Sequence, residues 1–236
     1  MADLTTKSIV STPYGSMNYY AASGVDSAFG KNVSDTIQRL QAFSPKTRAA
    51  ISKIDNVIIL KNSNSQMPDG FEKTKDKLEK YALDAYGFVS KPDRAIVLNQ
   101  ENHYRKDTSL EGSYQEQAAD TASHELGHLV DDEYSTSDKF KSAYFMDLKN
   151  IEKMLKEGEK EIQGHNLDEM LEYLKHYIEG ADFSDGIDEN DITREGLREN
   201  FAECFSTIMD ANPSEINSVY AALFPNTMRE TLNFVI

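Results

Sequence analysis

"TASHELGHLVDDE", residues 121–133, decides how this chain is read. It sets His124 and His128 four positions apart, with Glu125 directly after the first histidine. On an α-helix, residues four apart are offset by about 40° and one turn, so both imidazoles face the same way. Two imidazoles at that spacing suit a tetrahedral divalent ion, and H-E-x-x-H is the pattern zinc peptidases use for it. Glu125 lies about 100° around the helix, beside such an ion rather than on it. A carboxylate there can take a proton from water bound to zinc and return it to a leaving amine. Gly127 removes a side chain next to the histidines and leaves room for another element.

The rest of the helix agrees with this placement. Gln117, Asp120, Thr121, Gly127, His128 and Asp131 share the face of His124, whereas Ala119, Ala122, Leu126, Leu129 and Val130 lie opposite. The histidines therefore stand off the apolar stripe, where a ligand pair belongs and a pair of core histidines does not.

A catalytic zinc site takes three protein ligands and leaves one position for water. No third histidine follows on the H-x-x-G-x-x-H continuation, because Leu129, Val130, Asp131, Asp132, Glu133 and Tyr134 come after His128. Asp131 on the same helix would converge on the ion only with strain. It reads as an acceptor behind a ligand or as a helix-surface acid. His165 and His176 lie in highly charged helical stretches and read as surface residues. Downstream, "RENFAECFSTIMD", residues 198–210, carries Glu199 and Glu203 one turn apart. The apolar stripe of that helix is Leu197, Phe201, Cys204, Phe205 and Ile208, and Glu203 falls off it. Residue type alone does not choose between the two glutamates.

"HELGHLVD" followed by "ENFAECF" resembles the catalytic domain of anthrax lethal factor and its relatives, including the clostridial Pro-Pro endopeptidases. The likeness covers two blocks, roughly 20 residues in all. It implies a zincin-like α+β fold, with a small twisted sheet, an active-site helix and a mostly helical C-terminal half. It also implies a zinc-dependent endopeptidase acting on a protein or peptide. Carried over residue by residue, His124, His128 and Glu203 become zinc ligands and Glu125 the general base. A bacterial toxin or effector is the setting this resemblance implies. A second likeness, to mobile-element proteases that cleave repressors and also pair HELGH with a downstream glutamate helix, implies an intracellular regulatory protease instead.

The chain departs from the first group in two respects. The interval between His128 and Glu203 is long and holds two charged helical stretches. Where those families carry a tyrosine that supports the transition state, this chain has Gly196. Tyr177, His176 and Arg198 are the candidates to replace it. A zinc-binding protein without turnover is the reading that Gly196 favours.

The bulk properties are compatible with a soluble enzyme. The 236 residues carry a net charge of −15, which repels phosphate backbones and anionic membranes, so nucleic acid is an unsuitable partner. No apolar run approaches the roughly 20 residues of a membrane span. "MADLTTKSIVSTPYGSMNYY" lacks a charged segment followed by an apolar one, so the expectation is a cytoplasmic protein, one exported by a signal-independent route, or a mature fragment. The one cysteine, Cys204, forms no intramolecular disulfide, and its place on the apolar stripe marks it as packing rather than as a nucleophile.

Two parts are expected: residues 1–30 as an arm or irregular segment, and residues 31–236 as a single zincin-like domain. The tyrosines near the start read equally as a binding arm or as an ordered strand edge. Ser44 caps and Pro45 opens a helix over "SPKTRAAISKI", with another helix over "SDTIQRLQAF" before it. "NVIIL" and "RAIVLN" read as strands. "RAIVLN" is either an ordinary sheet strand or the edge to which an extended substrate adds. "FEKTKDKLEKYALDAY" is helix or loop. From "SYQEQAADTASHELGHLVDD" onward the pattern is helical, through "KFKSAYFMDLKNIEKMLKEGEKEI", "LDEMLEYLKHYI" and "REGLRENFAECFSTIMDA" to a helix begun by Asn212 and Pro213. "ADFSDGIDEND" fails the calcium-loop spacing, with Ala181 and Phe183 where ligands should be, and reads as a solvated loop or lid.

Overall fold

The computed structural model describes residues 6–12, 15–40, 44–62, 64–81, 85–103, 114–131, 134–175, 178, 181, 183–184, 186–210 and 215–236. The chain divides into two compact units, Met1–Val130 and Asp131–Ile236.

The first unit runs β1 (Thr6–Thr12), β2 (Gly15–Ala21), α1 (Ser27–Leu40), α2 (Pro45–Ile51), β3 (Asn56–Leu60), α3 (Glu72–Tyr81), β4 (Gly87–Ser90), β5 (Ala95–Asn99), α4 (Gln100–His103) and α5 (Tyr114–Val130). The strands make one mixed sheet in the order β1-β2-β3-β5-β4. β2, β3 and β5 are mutually parallel, and the two outer strands run antiparallel to their neighbours.

Residues 6–12 and 15–21 belong to this sheet rather than to an irregular arm. Their hairpin pairs Thr6 with Ala21 and Thr12 with Gly15. β1 lies at the sheet edge and mixes polar with β-branched residues, so it lacks the clean alternation of a half-buried strand. β2 packs on α1 so closely that a side chain at Gly30 would run into the Tyr19 hydroxyl. Burial pushes that phenol up to about 12.

β5, from the "RAIVLN" stretch, is an internal strand. It pairs with β3 on one side and β4 on the other, and all its residues are buried. The substrate-edge reading of that stretch is therefore corrected, because no side of β5 is left to receive another backbone. Alternation along the strands builds two apolar faces. Ile58, Leu60, Ala95, Val97 and Phe88 meet Met67, Phe71 and Leu78 of the α3 region. Val57, Ile59, Ile96 and Leu98 are equally buried and point the other way, to the face that carries α1 and α5.

α2 begins as its sequence dictates. The Ser44 hydroxyl accepts from Thr47 N, and Pro45 occupies the first turn. The stretch "FEKTKDKLEKYALDAY", open between helix and loop, holds α3 over Glu72–Tyr81.

The second unit contains α6 (Asp138–Lys156), the two-stranded hairpin β6 (Glu161–Ile162) and β7 (His165–Asn166), α7 (Leu167–Tyr173), α8 (Arg194–Met209), α9 (Glu215–Leu223) and α10 (Pro225–Val235). α6 stops earlier than its pattern suggests. Gly158 adopts φ 78°, Glu159 N donates to Met154 O at 3.0 Å, and Gly158 N to Leu155 O at 3.1 Å. That pair of bonds is the Schellman ending, which a glycine with positive φ permits. Gln163 (φ 52°) and Gly164 (φ 83°) then turn β6 into β7, as a two-residue hairpin with two positive φ values requires. The start of α9 at Asn212 and Pro213 lies outside the described residues. The core is aromatic: Phe140, Tyr144, Phe201, Phe205, Tyr220 and Phe224 are fully buried.

The described residues are thus α+β, a mixed sheet with helices followed by a mostly helical unit. No described helix is long and apolar enough to cross a membrane.

Candidate metal centre

α5 presents the H-E-x-x-H residues by burying its other side. Ala118, Ala122, Leu126, Leu129 and Val130 are buried, while His124 and His128 remain half-buried. Their rings stand 4.9 Å apart between centroids at 86° to each other. Each offers a ring nitrogen within 4.8 Å of the other's, close enough for one ion to touch both. Two imidazoles on one face of a helix fit a zinc ion in donor chemistry and spacing.

Glu125 is more enclosed than the histidines, at 7% exposure. It faces the sheet, where β4 lies against it. A Cβ built on Gly87 would come within 3.2 Å of Glu125 Cγ, 3.0 Å of Thr121 Cγ2 and 3.0 Å of Val97 O. Sequence reading passed over Gly87. The available signal was a glycine opening the short apolar run "GFVS", which marks close approach of another element.

β4 ends the sheet, and no described strand pairs with its outer side. Asn99 N donates to Tyr86 O at 2.8 Å, which fixes the phase of the antiparallel ladder. Phe88 and Ser90 then bond to β5, and the backbone groups of Gly87 and Val89 turn outward. Lys77 of α3 takes one of these groups, donating to Val89 O at 2.9 Å.

The other sequence-derived candidates lie in the second unit. Thr193 caps α8 by accepting from Gly196 N at 2.9 Å. Leu197, Phe201, Cys204 and Phe205 form the buried stripe of this helix. Glu203 is 5% exposed, whereas Glu199 is half-buried and offers a carboxylate oxygen. Gly196 sits buried in the first turn of α8.

Asp131 follows the last residue of α5 and is buried rather than exposed on a helix surface. Its two oxygens accept from Ser135 N at 2.6 Å and Ser135 Oγ at 2.8 Å, which holds the 3-10 turn Tyr134–Thr136. Arg198, a candidate transition-state donor, has its Nε 4.0 Å from Asp131. His176 and Tyr177 lie outside the described residues. His165 is half-buried in β7.

Cys204 is fully buried, and burial pushes its thiol far above the usual range. In the acidic loop, Asp188 accepts from Asn190 N at 2.8 Å, and Asp191 accepts from Asp188 N at 3.3 Å. These carboxylates cap the 3-10 turn Glu189–Asp191, a structural use of their charge.

Comparison with protein-family models, with curated proteins and with solved structures finds no match.

Proposed function

We propose that this chain is a zincin-like, zinc-dependent endopeptidase that hydrolyses a protein or peptide substrate. One observation carries the reading: His124 and His128 share one face of α5, with Glu125 between them turned toward the free edge strand β4. His124 and His128 would hold the zinc together with a carboxylate of α8. The resemblance implies Glu203, and Glu199 one turn away is the alternative. Zinc, when bound, supplies the Lewis acid that acidifies water and polarises a peptide carbonyl.

The remaining roles belong to the chain. Glu125, in its enclosed position, takes a proton from the attacking water and hands it to the leaving nitrogen. The outward backbone groups of β4 would receive an extended peptide by strand addition, on the strand against which Glu125 packs. The strong negative charge suits a basic or polar segment better than an acidic one.

Metal analysis of purified protein tests the first half, with about one zinc per chain expected. Cleavage of a peptide library by wild type and by Glu125→Ala tests the second, the variant keeping its zinc and losing turnover. Natively folded protein that binds no zinc would sink the reading. The absence of a side chain at Gly196 favours a second reading, a zinc-binding interaction protein without turnover. Bound zinc with no peptide in the library cleaved would select it.

A further inference from the structure

Gly87 is not a glycine of conformation. It is not among the residues with positive φ, so its backbone suits any residue. Space is what excludes a side chain. Of the three atoms its Cβ would meet, Val97 O belongs to β5, which is paired on both sides and has nowhere to go. The other two, Thr121 Cγ2 and Glu125 Cγ, sit one turn apart on α5. Contacts of 3.0 to 3.2 Å are tighter than ordinary carbon packing, so an added methyl moves the α5 side chains.

We infer that Gly87 is the positioning residue for Glu125: by carrying no side chain it lets β4 close on α5 and fixes the stem of the carboxylate. The kinetic side of this inference rests on the endopeptidase reading; the packing side does not. A general base works only within hydrogen-bond reach of its proton, so a displacement of a few tenths of an ångström at Cγ is felt in turnover. Neither histidine is among the three atoms nearest the new methyl, so the metal ligands are expected to stay in place.

The experiment is a double-mutant cycle on Gly87→Ala and Glu125→Ala, read by thermal unfolding of the four proteins. Replacing Glu125 by alanine removes the Cγ atom that the new methyl meets. The expected result is a clear fall in Tm for Gly87→Ala in the wild-type background and a fall of about half that size or less when Glu125 is already alanine. If Gly87→Ala alone does not fold, recovery of a folded protein in the double variant is the same result. Equal falls in both backgrounds overturn the inference, because the strain is then not carried by Glu125.

The kinetic arm compares Gly87→Ala with wild type. The expected result is kcat lower by about tenfold or more, with KM and zinc content unchanged. A rise in KM at constant kcat overturns the positioning role. A wild type that binds no zinc or cleaves nothing, with the Tm coupling intact, instead overturns the endopeptidase reading and leaves the Gly87–Glu125 relationship standing.

Discussion

The carboxylate of Asp147 on α6 accepts both the backbone N–H of Thr227, at 2.8 Å, and its hydroxyl, at 2.6 Å, while Asn226 donates to the other oxygen. One buried acid thereby satisfies the opening turn of α10, a helix whose preceding residue, Phe224, offers no side-chain cap. Asp147→Ala leaves those donors without partners in the core and is expected to cost about 2 to 4 kcal/mol. Urea unfolding of wild type and variant measures it. An unchanged midpoint would show that water replaces the carboxylate.

Asp147 and Glu152, one face of α6 apart, are predicted to give opposite pH dependences. Burial raises the Asp147 carboxyl above its ordinary value, against the lowering effect of its bonds to Thr227 and Asn226. The folded protein therefore holds this proton more tightly than the unfolded chain. Its contribution is complete below the ordinary carboxylate range and is lost as pH rises through the elevated value. Glu152 is held at about 2 by hydrogen bonds from Lys149 and Lys156. Its contribution is present above the ordinary glutamate range and is lost as pH falls toward that value. Stability measured against pH should flatten above the ordinary carboxylate range in Asp147→Asn. It should flatten in acid in Glu152→Gln.

Cys204 should be silent toward thiol reagents in the folded protein. Its sulfur lies 3.7 Å from Asn200 Oδ1 and 4.0 Å from Tyr220 Oη, with no exposed surface, and burial keeps the thiolate from forming. Titration with a chromogenic disulfide should find no reactive thiol in native protein and one per chain in denaturant, since the sequence holds one cysteine. Rapid labelling without denaturant would contradict the burial.

The two glutamates of α8 can be separated by metal content. Glu199→Gln and Glu203→Gln keep the size of the side chain and remove its charge. If α8 supplies the third zinc ligand, as proposed, zinc retention falls by an order of magnitude or more in one variant and persists in the other. Full retention in both would remove α8 from the metal centre.

How much of this was legible in the sequence follows from where the determinants lie. Ser44 and Pro45 announced α2 because a cap is a local contact between residues three apart. The stripe of α5 was readable because helical period alone separates Ala122, Leu126 and Val130 from His124 and His128. β1 and β2 were not readable, since their pairing with the rest of the sheet is made by β3, far along the chain. Which strand forms the edge is likewise non-local. "RAIVLN" and "GFVS" differ in burial only because a parallel neighbour, β3, joins one and not the other. The end of α6 was in plain view at Gly158, but the charged pattern runs on past it and masks the stop. The role of Asp131 escaped because its partner, Ser135, binds it in a turn rather than across a helix.

Lys77 places an ammonium group at the outer side of β4, on the Val89 carbonyl and 5.2 Å from the centre of the Phe88 ring. A bare strand edge recruits any extended chain that drifts past, including other copies of the same protein. Any extended chain, a substrate segment included, must first displace that cation, and the ladder it then gains is only a residue or two long. The outer side of β4 is thereby shielded against casual pairing with other copies of the chain.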